Sequence, residues 1–139
     1  MSNQRQLYVN LCVADLPRAK SFFAALGFAF EPRFTNEQAA CLIINDATYV
    51  MLLTESHFSG FSKRRICDTS TSTEVLLALS CESREAVDAM VATAVANGGS
   101  HAMDPQDHGF MYGWSFYDPD GHHWEVGWMD LSAVPQADC

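Results

Sequence analysis

The sequence predicts an α+β fold: two tandem βαβββ modules whose curved, mixed sheets line a cavity, with the helices on the outer faces. Three observations predict it. An alternating strand-like segment followed by an amphipathic helical stripe occurs twice. Each stripe is followed by three further strand-like stretches. The polar turn Asn45-Asp46-Ala47 also lines up with Pro119-Asp120-Gly121 at an offset of 74 positions, with strand-like residues beyond both. Element order and turn position carry the repeat, since identity between the halves is low.

Along the chain, residues 7–13 alternate: Val9, Leu11 and Val13 on one face, Tyr8, Asn10 and Cys12 on the other. Asp15 offers an N-cap oxygen, and Pro17 is tolerated in a first helical turn because its missing N–H is not needed there. Ala19, Phe22, Phe23 and Leu26 recur at helical spacing, and Gly27 ends the helix. Strands are expected at about 28–33, 39–44 and 47–53. The second copy starts with a strand over Glu74 to Cys81, and Ser83 is its candidate N-cap. Val87, Met90, Val91, Ala94 and Val95 form the stripe, ended by Asn97-Gly98-Gly99. Strands follow at about 100–103, 110–117 and 122–128, the last two joined by Asp118-Pro119-Asp120-Gly121. The whole chain, 1–139, reads as one domain: module one about 7–54, a linker about 55–73, module two about 74–130. A linker of that length is more often a binding loop or lid than a spacer. The tail from Pro135 is expected to fray.

Composition excludes several classes. A chain that is 48% hydrophobic and 18% charged is neither disordered nor fibrous. A formal charge of −9 repels phosphate backbones, so nucleic acid is not an expected partner. No apolar run approaches the ~20 residues needed to span a bilayer, and the start has no signal-peptide character; a cytoplasmic address without membrane contact is expected. Cys12, Cys41, Cys67, Cys81 and Cys139 form no CxxC pair, and four of the five sit in or near apolar strand-like stretches, where a free thiol behaves as a small hydrophobe. The cluster Lys63-Arg64-Arg65 reads as a solvated loop face, with a lid over an anionic ligand as the alternative.

In residues 123–128, Trp124, Val126 and Trp128 alternate with His123, Glu125 and Gly127. The aromatic set belongs under the helix, so His123 and Glu125 are expected to face the cavity. A carboxylate on an inner sheet face is costly unless paired, hydrogen-bonded or used. His122 and His108, in turns, are expected to be exposed.

The segment Tyr117-Asp-Pro-Asp-Gly-His-His-Trp-Glu-Val126 resembles the closing strand of the vicinal-oxygen-chelate superfamily, the glyoxalase/bleomycin-resistance/dioxygenase family. Asn10-Leu-Cys-Val-Ala-Asp-Leu16, followed by Phe22-Phe23 and Leu26-Gly27, resembles its opening strand and helix. Tyr49-Val-Met-Leu-Leu53, Thr73-Glu-Val-Leu-Leu-Ala-Leu-Ser80 and Gly109-Phe-Met-Tyr-Gly113 look most like a bacterial branch labelled as predicted lactoylglutathione lyases. The resemblance implies paired βαβββ modules, a homodimer, and a cavity in which metal-using members place four ligands. Carried over position by position, those ligands fall on Asn10, Met51, Leu76 and Glu125, and only Glu125 matches.

That departure bears on chemistry. A divalent ion needs three or more N/O donors to fix its geometry and acidify bound water. Asn10 is a weak donor, Met51 is soft and Leu76 cannot ligate, so no cofactor is expected, a divalent metal on other ligands being the alternative. Glu125 and His123 are the candidate catalytic residues; Tyr8, Asn10, Tyr49, Met51, Leu76, Tyr112 and Trp114 are the candidate pocket residues. Three functions remain open. In the first, a metal-independent lyase or isomerase uses Glu125 as base. In the second, a non-catalytic protein sequesters a drug or metabolite, with Glu125 as charge anchor. In the third, the concave face mainly forms the dimer interface. A small molecule is the expected partner in the first two.

Overall fold

The structure is a computed structural model that describes residues 4–133; the tail expectation from Pro135 lies outside the described residues. The chain divides into two compact units, residues 1–72 and 73–139.

The first unit opens with strand β1 (Leu7–Val13) and helix α1 (Leu16–Ala25). Asp15 caps the helix as its sequence suggests, its carboxylate accepting the Arg18 N–H at 3.0 Å. Gly27 follows at φ +97°, a left-handed conformation that other residues adopt only at a cost. Strands β2 (Ala39–Asn45) and β3 (Thr48–Thr54) complete a three-stranded sheet of order β1-β3-β2, with β1 parallel to β3. Phe22 and Phe23 are each 1% exposed and meet edge to face at 4.9 Å. With Leu11, Val13, Leu42, Val50 and Leu52 they form this unit's core, each ring contributing about 1.5–3 kcal/mol by burial. A short helix α2 (Glu55–Ser59) occupies part of the expected linker.

The strand expected at 28–33 does not form. Only Phe30 makes an isolated bridge, to Leu42, and Pro32–Phe34 curls into one 3-10 turn. Pro32 has no N–H to give a ladder, and the Glu31 carboxylate accepts the Arg33 N–H at 3.0 Å, which favours the turn.

The second unit contains β4 (Leu76–Ser80), helix α3 (Arg84–Ala96), β5 (Ser100–His101), β6 (Gln106–Asp107), β7 (Met111–Tyr117) and β8 (His123–Met129). Its sheet runs β4-β8-β7-β5, with β6 paired to β7; the two-residue β6 lies in a stretch expected to be loop. Ser83 caps α3 by accepting the Ala86 N–H at 3.0 Å. Val87, Val91 and Ala94 of α3 are fully buried, together with Phe116, Trp124 and Val126 of the sheet. All three tryptophans of the chain are in this unit, on β7 and β8. The two modules therefore share the order strand, helix, strands, but their sheets differ in strand number.

The Asp118–Gly121 turn is fastened by one side chain. Asp118 is 4% exposed. Its Oδ1 accepts the N–H groups of Asp120 (2.9 Å) and His122 (3.0 Å), and its Oδ2 accepts the indole N–H of Trp124 (3.0 Å). Burial pushes this carboxyl's pKa up, while His122 and the hydrogen bond from Trp124 pull it back. His122, expected in solvent, is 3% exposed, with Nδ1 3.2 Å from Glu74 Oε1. The turn folds inward because Asp118 holds the backbone N–H of His122, and that carries the imidazole with it.

Candidate functional site

The β7–β8 ladder has no bulge, so its open face can be read row by row. Across β4, β8 and β7, one row is Leu76, His123 and Tyr117, and the next is Ala78, Glu125 and Ser115. The third is Ser80, Gly127 and Gly113, with Gln106 of β6 beside Gly113. Met129 and Met111 form the last. The opposite face carries Leu77, Leu79, Trp124, Val126, Trp128, Tyr112, Trp114 and Phe116, and α3 packs there.

A concavity of about 550 Å³ lies over the last three rows, entirely within the second unit. Its rim and walls include Met103, Met111, Met129, Leu131 and Gln106; its charged lining residues are Glu125 and Asp104. Among the described residues, no Lys, Arg or His side chain lines it. Ser115 is occupied structurally, since its hydroxyl accepts the Met103 N–H at 3.0 Å and anchors the segment that forms one wall. Cys81 also borders the space, and burial pushes its thiol pKa up, with Glu82 adding to the effect; the thiolate needed for nucleophilic chemistry is disfavoured.

Glu125 lines this space with its side chain 46% exposed. Beside it, His123 is 8% exposed, and its Nε2 has no hydrogen-bond partner. That nitrogen lies 3.5 Å from Glu125 Oε2, too long for a good hydrogen bond, and the ring meets Tyr117 edge-on at 5.4 Å. His123 thus sits behind Glu125 rather than in the lining. The two share a face, as alternation requires.

The remaining candidate residues are distributed differently. Tyr112 and Trp114 border the concavity, but alternation puts both rings on the helix-facing side. There the Tyr112 hydroxyl donates to Asp88 on α3 at 2.6 Å, and Trp114 stacks on His101 at 5.5 Å. Tyr8, Asn10, Tyr49 and Met51 are on the open sheet face of the first unit. Tyr8 and Tyr49 are register partners whose rings stack at 4.9 Å, and Asn10 is the register partner of Met51. The Asn10 amide donates to the Tyr8 carbonyl at 3.2 Å.

Leu76 stands opposite His123, not Glu125; the residue opposite Glu125 is Ala78. By register, Ala78 is the counterpart of Asn10, and Tyr8, the partner of Tyr49, is the counterpart of Leu76. The expected ligand positions Asn10 and Leu76 are thus not equivalent in the two modules. Asn10, Met51 and Leu76 offer an amide, a thioether and an alkyl group, which with the one carboxylate of Glu125 do not make a site for a divalent ion. Among the described residues, no three His, Cys, Asp or Glu side chains come together to hold a metal.

Sequence reasoning missed the glycines and methionines of the floor and rim. Counting outward from the Asp118–Gly121 turn pairs Gly113 with Gly127 and Met111 with Met129, so the signal was present in the hairpin. It also missed Arg84, at the start of α3. Arg84 donates to both carboxylate oxygens of Asp107 (2.7 and 3.0 Å) and to the Gly109 carbonyl (2.8 Å). Its guanidinium lies over the rings of Tyr112 and Trp128, at 5.3 and 5.2 Å. This clamp ties the loop before β7 to the helix, fixing the strand that carries Met111 and Gly113. The hydrogen bond from Arg84, with that from the Gly109 N–H, lowers the Asp107 pKa to about 2.

Among the described residues, no helix is long and apolar enough to cross a membrane. No curated protein matches the chain. Among solved structures, a hypothetical protein of S. aureus is 28% identical with a TM-score of 0.75, covering 90% of this chain and 94% of that one. A glyoxalase/bleomycin resistance protein/dioxygenase family enzyme of Burkholderia phytofirmans PsJN is 18% identical, with a TM-score of 0.74 and coverages of 91% and 99%. The fosfomycin resistance protein FosX of Listeria monocytogenes is 16% identical, with a TM-score of 0.64 and coverages of 99% and 96%. The model of the Glyoxalase/Bleomycin resistance protein/Dioxygenase superfamily matches residues 5–126, and the chain belongs to that superfamily.

Proposed function

We propose that the open sheet face of the second unit binds a small, largely apolar molecule bearing a positive charge, without a metal ion, and that Glu125 is its polar anchor. The observation that carries this reading is the setting of Glu125: a half-exposed carboxylate in a methionine-rimmed concavity whose charged lining is wholly acidic. A carboxylate there, with no basic partner in the lining, favours a cation arriving from solvent. Sequestering of the bleomycin-resistance type needs nothing more than this. Metal-dependent isomerisation of the lactoylglutathione-lyase type is not part of the reading, because the residues at the ligand positions do not fit a divalent ion.

A second reading has one observation in its favour, the placement of His123 Nε2 at 3.5 Å from Glu125. Glu125 would take a proton next to a carbonyl, and His123 would exchange protons with it; a positioned base of this kind contributes about 10²–10⁴-fold. Calorimetric screening of small cations and neutral analogues against the wild-type chain and Glu125→Gln tests the first reading. Cation-selective binding that weakens about tenfold or more in Glu125→Gln supports it. Equal affinity in the two proteins overturns it. Mass spectrometry of the recovered ligand separates the readings: an unchanged ligand means sequestering, a converted one means catalysis. The same reading takes the chain as a homodimer, which solution mass measurement checks.

A further inference from the structure

We propose that Gly113 and Gly127 are specificity residues, and that they keep open a trench for a planar cationic ring lying flat on the sheet. The inference rests on the proposed binding site and adds the shape and class of its guest. The trench is the row Ser80, Gly127 and Gly113, between the row that carries Glu125 and the row formed by Met129 and Met111. Successive same-face residues are about 6.6 Å apart along a strand, so Glu125 and Met129 stand about 13 Å apart with no side chain between them on β8.

The backbone does not explain these glycines. Neither has positive φ, and the strand pair has no bulge where they meet. A Cβ added at Gly113 would meet only the Val126 carbonyl at 3.7 Å, and one at Gly127 only the Tyr112 carbonyl at 3.6 Å, both ordinary contacts. Glycine in a strand interior costs stability, and in an unbulged pair it marks a close approach by something outside the sheet. Among the described residues, the adjoining residues of each strand aside, no other atom comes within 4 Å of the added Cβ. The open space over both glycines fits the approach of a ligand.

A second observation points the same way. His123 is nine-tenths buried behind Glu125, the carboxylate at the trench edge, with Nε2 3.5 Å from Glu125 Oε2 and without a hydrogen bond. A guest cation would give the Glu125 carboxylate, which has no good hydrogen bond from His123, its charge partner at this end. At the other end, the thioethers of Met111 and Met129 suit ring edges, since sulfur–aromatic contacts are favourable and methionine adapts to irregular outlines. Exposed peptide planes at the paired glycines suit a ring face. A bulky tetrahedral cation satisfies Glu125 but cannot use the floor.

Calorimetry with three probes tests this: proflavine, a planar cation; tetrapropylammonium, a non-planar one; and anthracene carboxylate, a planar anion. Wild type should prefer proflavine over both others by about tenfold or more. Gly127→Val should lose proflavine by a similar factor while its thermal midpoint stays level or rises, because valine suits a strand better than glycine. Gly113→Ala, one methyl on the floor, should weaken proflavine less. If Gly127→Val does not fold, Gly113→Ala carries the test alone. Proflavine affinity unchanged in a folded glycine variant overturns the trench. Tetrapropylammonium bound as tightly as proflavine, and lost only in Glu125→Gln, overturns the planar guest and leaves the anchoring role of Glu125 standing. Anthracene carboxylate as the preferred probe, or no cation bound at all, overturns both.

Discussion

Replacing Asp118 by alanine tests whether one buried carboxylate sets the β7–β8 hairpin. The substitution removes the acceptor for three N–H groups, at 2.9, 3.0 and 3.0 Å, two of those hydrogen bonds being buried. Depriving a buried donor of its acceptor costs about 1–3 kcal/mol, which puts the loss from the His122 and Trp124 donors at about 2–6 kcal/mol. The carboxyl is itself penalised by burial, and its removal offsets part of that; a net loss of about 2–4 kcal/mol is expected. Urea unfolding followed by tryptophan fluorescence reads it. With a slope of about 2 kcal/mol/M for a protein of this size, the midpoint should fall by about 1–2 M. A cycle with Trp124→Phe isolates the indole hydrogen bond, whose coupling to Asp118 should be about 1.5–3 kcal/mol. A midpoint shift below about 0.3 M, or a coupling near zero, would refute the reasoning and make the turn's hydrogen bonds incidental.

Three other outcomes follow from the geometry. Asp107 has its pKa lowered from 3.8 to about 2, so the unfolded chain binds the extra proton between those values. Stability from the Arg84 clamp is complete above about pH 4 and is lost as pH falls toward 2; the gap in thermal midpoint between wild type and Asp107→Asn should narrow over that range. A carboxyl titration by NMR with its midpoint near 3.8 would refute it. Gly27→Ala should cost about 1–2 kcal/mol although nothing lies within 4 Å of the added methyl, because the penalty comes from φ +97° alone; a neutral change in chemical denaturation would count against this. Ser83→Ala should cost about 1 kcal/mol through loss of the α3 cap, and amide exchange should accelerate at Ala86 before it does at Val91.

The parts of the fold legible in the sequence were those with a local cause. Asp15 and Ser83 cap, Gly27 and Gly98 terminate, and the apolar stripes of α1 and α3 are buried, because each of these is decided within one or two turns of chain. The segment at 28–33 was misjudged because its apolar alternation competes with Pro32 and with Glu31 capping Arg33, and one proline outweighs the pattern. His122 was misjudged for a related reason. Polar residues in a turn are usually solvated, but here the backbone is tied inward by Asp118. Within the site, the face shared by His123 and Glu125 was legible from period two. The register of β4 was not, because a parallel pair leaves no turn to count from, and the structure puts Ala78 opposite Glu125 and Leu76 opposite His123. Tyr112 and Trp114 do border the concavity, but residue type alone does not show that the Tyr112 hydroxyl is turned to Asp88 on α3 and that the Trp114 ring stacks on His101.

The confinement of Trp114, Trp124 and Trp128 to one unit makes the chain its own selectively labelled sample. Excited at wavelengths where tyrosine is dark, the protein emits only from the half that carries the concavity, while far-ultraviolet dichroism weighs both halves. If the two signals melt together, the halves share one cooperative transition; if they part, the emission dates the loss of the second unit alone. A guest lying on the floor of β7 and β8 rests on the face of the sheet opposite that of the indoles, one backbone layer away. Occupancy should therefore register as a change in emission without any dye, tag or added residue.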